Sequence, residues 1–145
     1  MQQPNRKFRK VWLAIALVAA AGAATAQDAL TEAEIRAKIE AQGYTNIDDV
    51  EFDDGVWTAD ARSADGSRVD LSIDPATGDI YPDGQVSKLG KADIEARLAA
   101  AGYSNVHDVE FDDGLWKAEA RDASGRDVEL RMEPNEGRVI GENRD

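Results

Sequence analysis

The chain has 145 residues, with 29 Asp and Glu against 17 Lys and Arg, one His and no Cys. That length suits one domain or two very small ones. A net charge of −12 argues against a nucleic-acid binder, which needs a basic surface to neutralise phosphate. The missing Cys excludes disulfides, a thiol nucleophile, Cys-ligated zinc and a lipid-modified cysteine anchor.

The N-terminus opens on Arg6, Lys7, Arg9 and Lys10, then runs apolar from Val11 to Ala24 and reaches Ala24-Thr25-Ala26. The apolar stretch is shorter than the ~20 residues that span a bilayer. With the small-x-small site behind it, the segment 1–26 reads as a secretory signal peptide cut before Gln27. The product is expected in the periplasm, or secreted, with no membrane anchor after cleavage. Losing four cations and no anions takes its charge from −12 to −16.

The remainder of the chain is one sequence written twice. Leu30–Asp83 aligns without a gap on Leu89–Glu142, with about 25 of 54 positions identical, which marks an internal duplication. The organisation expected is a repeat over 27–84 and a second over 85–145, with the Pro- and Gly-containing YPDGQVSK between them.

Each repeat starts with a helix. Thr31 and Glu34 have the spacing of a capping box, and Leu30 with Ile35 that of a hydrophobic staple; Gly90, Asp93, Leu89 and Ile94 repeat the pattern. Gly43 and Gly102 are placed to end the helices in the left-handed conformation, with Tyr44 and Tyr103 locking against the last turn. The hydrophobic period then changes to two. Val50 and Phe52 alternate with Asp49, Glu51 and Asp53; Asp53-Asp54-Gly55 signals a hairpin. Trp57, Ala59 and Ala61 form the inward set of the next strand, and Val69, Leu71 and Ile73 that of a third. After Asp74-Pro75-Ala76-Thr77-Gly78 comes a short strand at Ile80-Tyr81. The second repeat keeps these phases through Val109, Trp116, Val128 and Ile140. The fold class expected is α+β, as two tandem repeats. Each is one N-terminal helix packed on a three- or four-stranded antiparallel sheet, apolar on one face and acidic on the other. A unit this small is marginal alone, so the two are expected to pair; edge-to-edge and face-to-face arrangements stay open.

The order T-x-x-E-I-x-x-x-I-x-x-x-G-Y, then V-E-F-D-D-G-x-W-x-A-x-A, then V-x-L-x-I-D-P-x-x-G resembles the PepSY domain family, over nearly all of Leu30–Asp83 and again over Leu89–Glu142. Glu133-Pro134 replaces Asp-Pro in the second copy. The resemblance implies a secreted or envelope module of helix on antiparallel sheet, of a kind found in peptidase propeptides and proposed to restrain peptidases. The tandem architecture is also similar to that of beta-lactamase inhibitory proteins. No catalytic residues carry over from the family.

The residues offer little for catalysis. His107, the lone histidine, has no counterpart in the other repeat (Asp48 stands at that place), so it reads as a surface position. No G-x-S-x-G or H-E-x-x-H is present. The paired carboxylates lie on an open strand face where water keeps them ordinarily ionised, not across a cleft as glycosidase chemistry needs. The chain is therefore expected to be non-enzymatic, with no cofactor and no metal centre. The acidic turns leave one alternative, a weak divalent-cation site in a calcium-responsive envelope protein, although the loop from Asp49 lacks the Gly and Glu positions of an EF-hand. The favoured reading is a protein-binding module whose expected partner is an envelope or secreted protein, such as a peptidase restrained by occlusion. Its candidate contacts are Asp53, Asp54, Asp112 and Asp113 at projecting hairpin tips, with Arg62 and Arg121 nearby, because loops on a rigid sheet commonly carry binding.

Overall fold

The computed structural model describes residues 29–144. The signal-peptide reading falls on residues outside these. The order is α1 (Glu32–Ala41), β1 (Thr45–Asp53), β2 (Val56–Arg62), β3 (Arg68–Ile73), β4 (Ile80–Pro82), α2 (Lys91–Ala100), β5 (Ser104–Asp112), β6 (Leu115–Arg121), β7 (Asp127–Met132) and β8 (Val139–Arg144). The fold is α+β: two helices and two separate four-stranded antiparallel sheets, ordered β1-β2-β3-β4 and β5-β6-β7-β8.

The helix ends follow from local chemistry. Thr31 caps α1 by accepting from the Glu34 N–H at 3.4 Å, while Glu34 accepts from the Thr31 N–H at 2.8 Å. Gly90 has no side chain to offer, so at α2 only the reciprocal half survives: Asp93 accepts from the Gly90 N–H at 2.8 Å. At the C-terminal end of α2, Gly102 at φ 95° lets its N–H reach Ala99 O and the Tyr103 N–H reach Leu98 O, the paired bonds of a Schellman ending.

Two cores result. Ile35 and Ile39 of α1 are buried with Ala59, Ala61, Leu71 and Ile73. Ile94 and Leu98 of α2 are buried with Trp116, Ala118, Ala120, Val128, Leu130 and Met132. The alanines leave room for a helix, and Trp57 and Trp116 fill the space beside them. Each indole N–H has an acceptor, Leu30 O at 3.1 Å and Ser87 Oγ at 2.9 Å.

The first strand of each sheet departs from simple alternation. Its register steps from Thr45↔Arg62 to Asp48↔Asp60 to Glu51↔Thr58, so Asn46 and Ile47 together oppose Ala61, and Asp49 and Val50 together oppose Ala59. Asn46 and Asp49 have φ of 48°, so each opens a bulge in the left-handed conformation that Asn and Asp tolerate better than other side chains. Asn105 and Asp108 do the same in β5. The core side is thus supplied by Ile47 and Val50, three residues apart. Glu51 and Asp53 keep the outer face, opposite Thr58 and Val56, while the bulge makes Asp48 rather than the expected Asp49 the residue paired with Asp60. Phe52 is 55% exposed at the end of the sheet, edge-on to Trp57.

The face expected to be uniformly polar also carries apolar groups. Val56, Tyr81, Leu115 and Ile140 form a third buried cluster, and these are equivalent pairs from the two repeats. The repeats therefore meet through their outer faces without merging their sheets. Burial pushes the Tyr81 phenol up to about 12, with the charges of Asp79, Glu133 and Asp74 adding.

Candidate functional site

The hairpin tips do not project freely. The β1–β2 tip rests on β8: a Cβ on Gly55 would lie 2.6 Å from the Glu142 backbone nitrogen. The β5–β6 tip rests on β4: a Cβ on Gly114 would lie 2.5 Å from Pro82 O. Each tip glycine, at positive φ, thus allows backbone-to-backbone docking on the other repeat. Side chains complete the contact. Arg131 donates to Asp54 at 2.6 Å and Asn143 to the same carboxylate at 3.3 Å. At the equivalent place on the first repeat Ser72 donates only to the backbone oxygen of Asp113, at 3.3 Å. The docking brings Asp53, Asp54, Asp112 and Asp113 together around one small cavity of about 90 Å³, with Arg131 and Lys117 among its lining.

A larger cleft of about 410 Å³ opens beside it on the outer face of the first sheet. Thr58, Asp60, Asp70 and Ser72 floor it, Asp49 and Glu51 form one wall, and Asp113 from the other repeat closes an end. The strand registers place Asp48 opposite Asp60 and Asp60 opposite Asp70, a row of like charges that costs the sheet stability. Arg68 relieves the middle of this row by pairing with Asp60. Among the described residues Asp49, Glu51 and Asp70 join no ion pair. The hydrogen-bonded Asp60 carboxyl holds the pKa of Asp70 above the usual carboxylate value, with burial and the charges of Asp60 and Asp83 adding.

The second repeat does not reproduce this surface. Where the first has Thr58 and Ser72, the second has Lys117 and Arg131. Lys117 bonds Asp112 at 2.8 Å and Asp113 at 3.3 Å, and the bond from Lys117 lowers the Asp112 pKa. The concentrated negative field is therefore a property of the first repeat's face, bounded by the neighbour's tip.

The two Pro turns support the joint. Asp74, 1% exposed, accepts from the Ala76 and Thr77 N–H groups and, across the repeats, from Arg138 at 3.1 Å. Glu133, 4% exposed, has the longer side chain and still reaches the N–H groups of Asn135, Glu136 and Arg138. Buried carboxylates are tolerated because each is met by several donors.

Of the six residues expected at a binding surface, Asp53, Asp54, Asp112 and Asp113 cluster as described, with Asp54 committed to the other repeat. Arg62 and Arg121 are not near the tips. They end β2 and β6 at the opposite end from Val56 and Leu115, because a seven-residue strand carries its two ends far apart. There Arg62 donates to Gly66 O and Arg121 to Asp127. Sequence reasoning missed Asp49, Glu51, Asp60 and Asp70 as one group. The available signal was the charge difference between aligned copies at Thr58/Lys117 and Ser72/Arg131.

A family model described as peptidase propeptide and YPEB domain, PepSY_2, matches residues 10–84 and 85–143. Two tandem matches spanning most of the chain define a PepSY-domain protein, and the chain belongs to that family. No curated protein and no solved structure matches it. Among the described residues no helix is long and apolar enough to cross a membrane.

Proposed function

We propose that the chain is a non-enzymatic periplasmic or secreted binding module that takes a basic segment of another protein, a peptidase, into the acidic cleft and restrains it by occlusion. The observation that carries this reading is the cleft itself: carboxylates from three strands and a neighbouring tip converge on a concavity with few internal cations. Such a surface focuses a negative field and steers a cationic group toward it. The family's association with peptidase propeptides is compatible with a peptidase as the partner. Each repeat, 27–84 and 85–145, acts in this reading as one helix-on-sheet unit, the first supplying the floor of the cleft and the second its end. Asp53, Asp112 and Asp113 contact the partner, joined by Asp49, Glu51 and Asp70; Arg62 and Arg121, away from the cleft, take no part in this reading. No covalent step is involved.

The test is affinity capture from the host's envelope extract on the tagged chain beginning at Gln27, which keeps every described element, with peptidase activity assayed on the captured fraction. Retention of a peptidase that regains activity on salt elution supports the reading. Retention of a peptidase with full activity while bound contradicts restraint, and retention of no protein contradicts partner binding.

A further inference from the structure

The bulge in β5 assembles a second cluster, separate from the cleft. His107, Asp108 and Glu119 bring one donor atom each within 4.8 Å of one another. His107 Nε2 lies 3.2 Å from Glu119 Oε2 and 3.9 Å from Asp108 Oδ2. In a regular strand two consecutive side chains would point to opposite faces. Here Asp108 takes φ 49°, and its carboxylate comes to the same side as the imidazole of His107. Glu119 faces His107 directly across the β5–β6 ladder.

The imidazole is oriented for ligation. Its Nδ1 lies 2.8 Å from Asn105 O. A carbonyl only accepts, so Nδ1 carries the proton, and Nε2 is the nitrogen that presents a lone pair to the carboxylates once the ring is neutral. Metal-binding histidines are commonly fixed in this way through the nitrogen that does not ligate. Ligands ~2.0–2.2 Å from a tetrahedral zinc are about 3.3–3.6 Å apart; the His107–Glu119 separation is close to this, and the exposed Asp108 carboxylate, 3.9 Å from the imidazole, reaches it by a small side-chain rotation. Among the described residues no Lys or Arg lies within ion-pair distance of Asp108 or Glu119; their ion-pair partner is His107. The first repeat is an internal control. Its equivalent positions are Asp48, Asp49 and Asp60, with no imidazole, and Asp60 is already taken by Arg68.

We propose that His107, Asp108 and Glu119 form a site for a divalent transition-metal ion of the zinc type, with solvent or a partner's side chain completing the coordination. Imidazole selects such an ion over calcium and magnesium, which prefer all-oxygen ligands. The ion takes the Nε2 lone pair of the neutral ring and neutralises the two carboxylates. This departs from the expectation, drawn from the lone histidine, of no metal centre.

The test is calorimetric titration of Zn²⁺, with Ca²⁺ in parallel, into the chain beginning at Gln27. It is run near pH 8, above the ordinary imidazole range. The expected result is one Zn²⁺ per chain, bound far more tightly than Ca²⁺ and weakened by about tenfold or more in His107→Gln and in Glu119→Gln. All three side chains are exposed, so these variants keep the fold, which circular dichroism checks. Zinc binding that is unchanged in His107→Gln, or equal affinity for Zn²⁺ and Ca²⁺, would mean diffuse attraction to an acidic surface and overturn the proposal. The absence of Zn²⁺ binding at millimolar ion would reduce the cluster to a surface ion pair and overturn it equally.

Discussion

Asp70 sits opposite Asp60 on one side, and on the other its backbone oxygen accepts from the Asp83 N–H. Its pKa is raised in the folded chain, so folding retains a proton that the unfolded chain gives up. That contribution to stability is full below the unfolded pKa and falls as pH rises through the folded one, so at neutral pH the row destabilises the fold. Asp70→Asn is expected to raise stability at pH 7 by a few tenths of a kcal/mol, screening by water keeping the gain small, as read by urea unfolding; a loss of stability would contradict like-charge strain. Asp65 behaves oppositely. The Ser63 hydroxyl, then the Ser67 backbone N–H, bond its carboxylate and hold it down to about 2. Its contribution is present above the unfolded value and disappears as pH falls through about 2. An NMR titration of Asp65 should show a midpoint well below the ordinary value of ~3.9, moving up toward it in Ser63→Ala; an unchanged midpoint in that variant would show that the hydroxyl is not the cause.

At the scale of elements, caps and turns were legible because they depend on residue identity at fixed spacing. Thr31 with Glu34, Gly102 with Tyr103 and Asp74-Pro75 all behave as their local chemistry dictates. The bulges were not legible, since Asn46 and Asp49 look like ordinary polar positions in an alternating strand. Only their positive φ reveals that each adds a residue opposite an alanine of β2. The placement of the tips was hidden for a different reason. Asp-Asp-Gly makes a good turn whether it is free or docked, and nothing local says that Gly55 and Gly114 must be bare to admit another strand. The expected outcome of Gly114→Ala is a loss of roughly 2 kcal/mol or more, from backbone overlap with Pro82 together with the left-handed φ. The same change at Gly66, where a Cβ would meet open space, should cost only the conformational part. Equal losses at the two sites would mean that the tip is not held against β4.

For the whole molecule, the alignment of the copies made the duplication plain, and apolar spacing placed both cores. How the repeats join lay beyond it, because Val56, Tyr81, Leu115 and Ile140 are single apolar residues on otherwise polar faces, and only their meeting in space gives them a role. This small cluster, with the Asp54–Arg131 and Asp74–Arg138 pairs, couples two units that each bury little. One cooperative melting transition is expected. Leu115→Asp, which places a charge in the cluster, should separate it into two transitions or lower its midpoint sharply; an unaltered melt would show that the cluster does not couple the repeats.

Docking of the repeats closes one end of the acidic cleft with Asp113, and the cleft's proposed role as the partner's contact is tested most directly by comparing capture of the envelope partner by the wild-type chain and by an Asp49→Asn, Asp70→Asn, Asp113→Asn variant. These changes remove cleft charge without touching the Asp54 and Asp74 pairs that hold the repeats together. The predicted result is retention by the wild type that falls with rising salt, and weak, salt-insensitive retention by the variant at a melting temperature no lower than that of the wild type. Equal retention by both chains at every salt concentration would contradict the cleft as the binding surface.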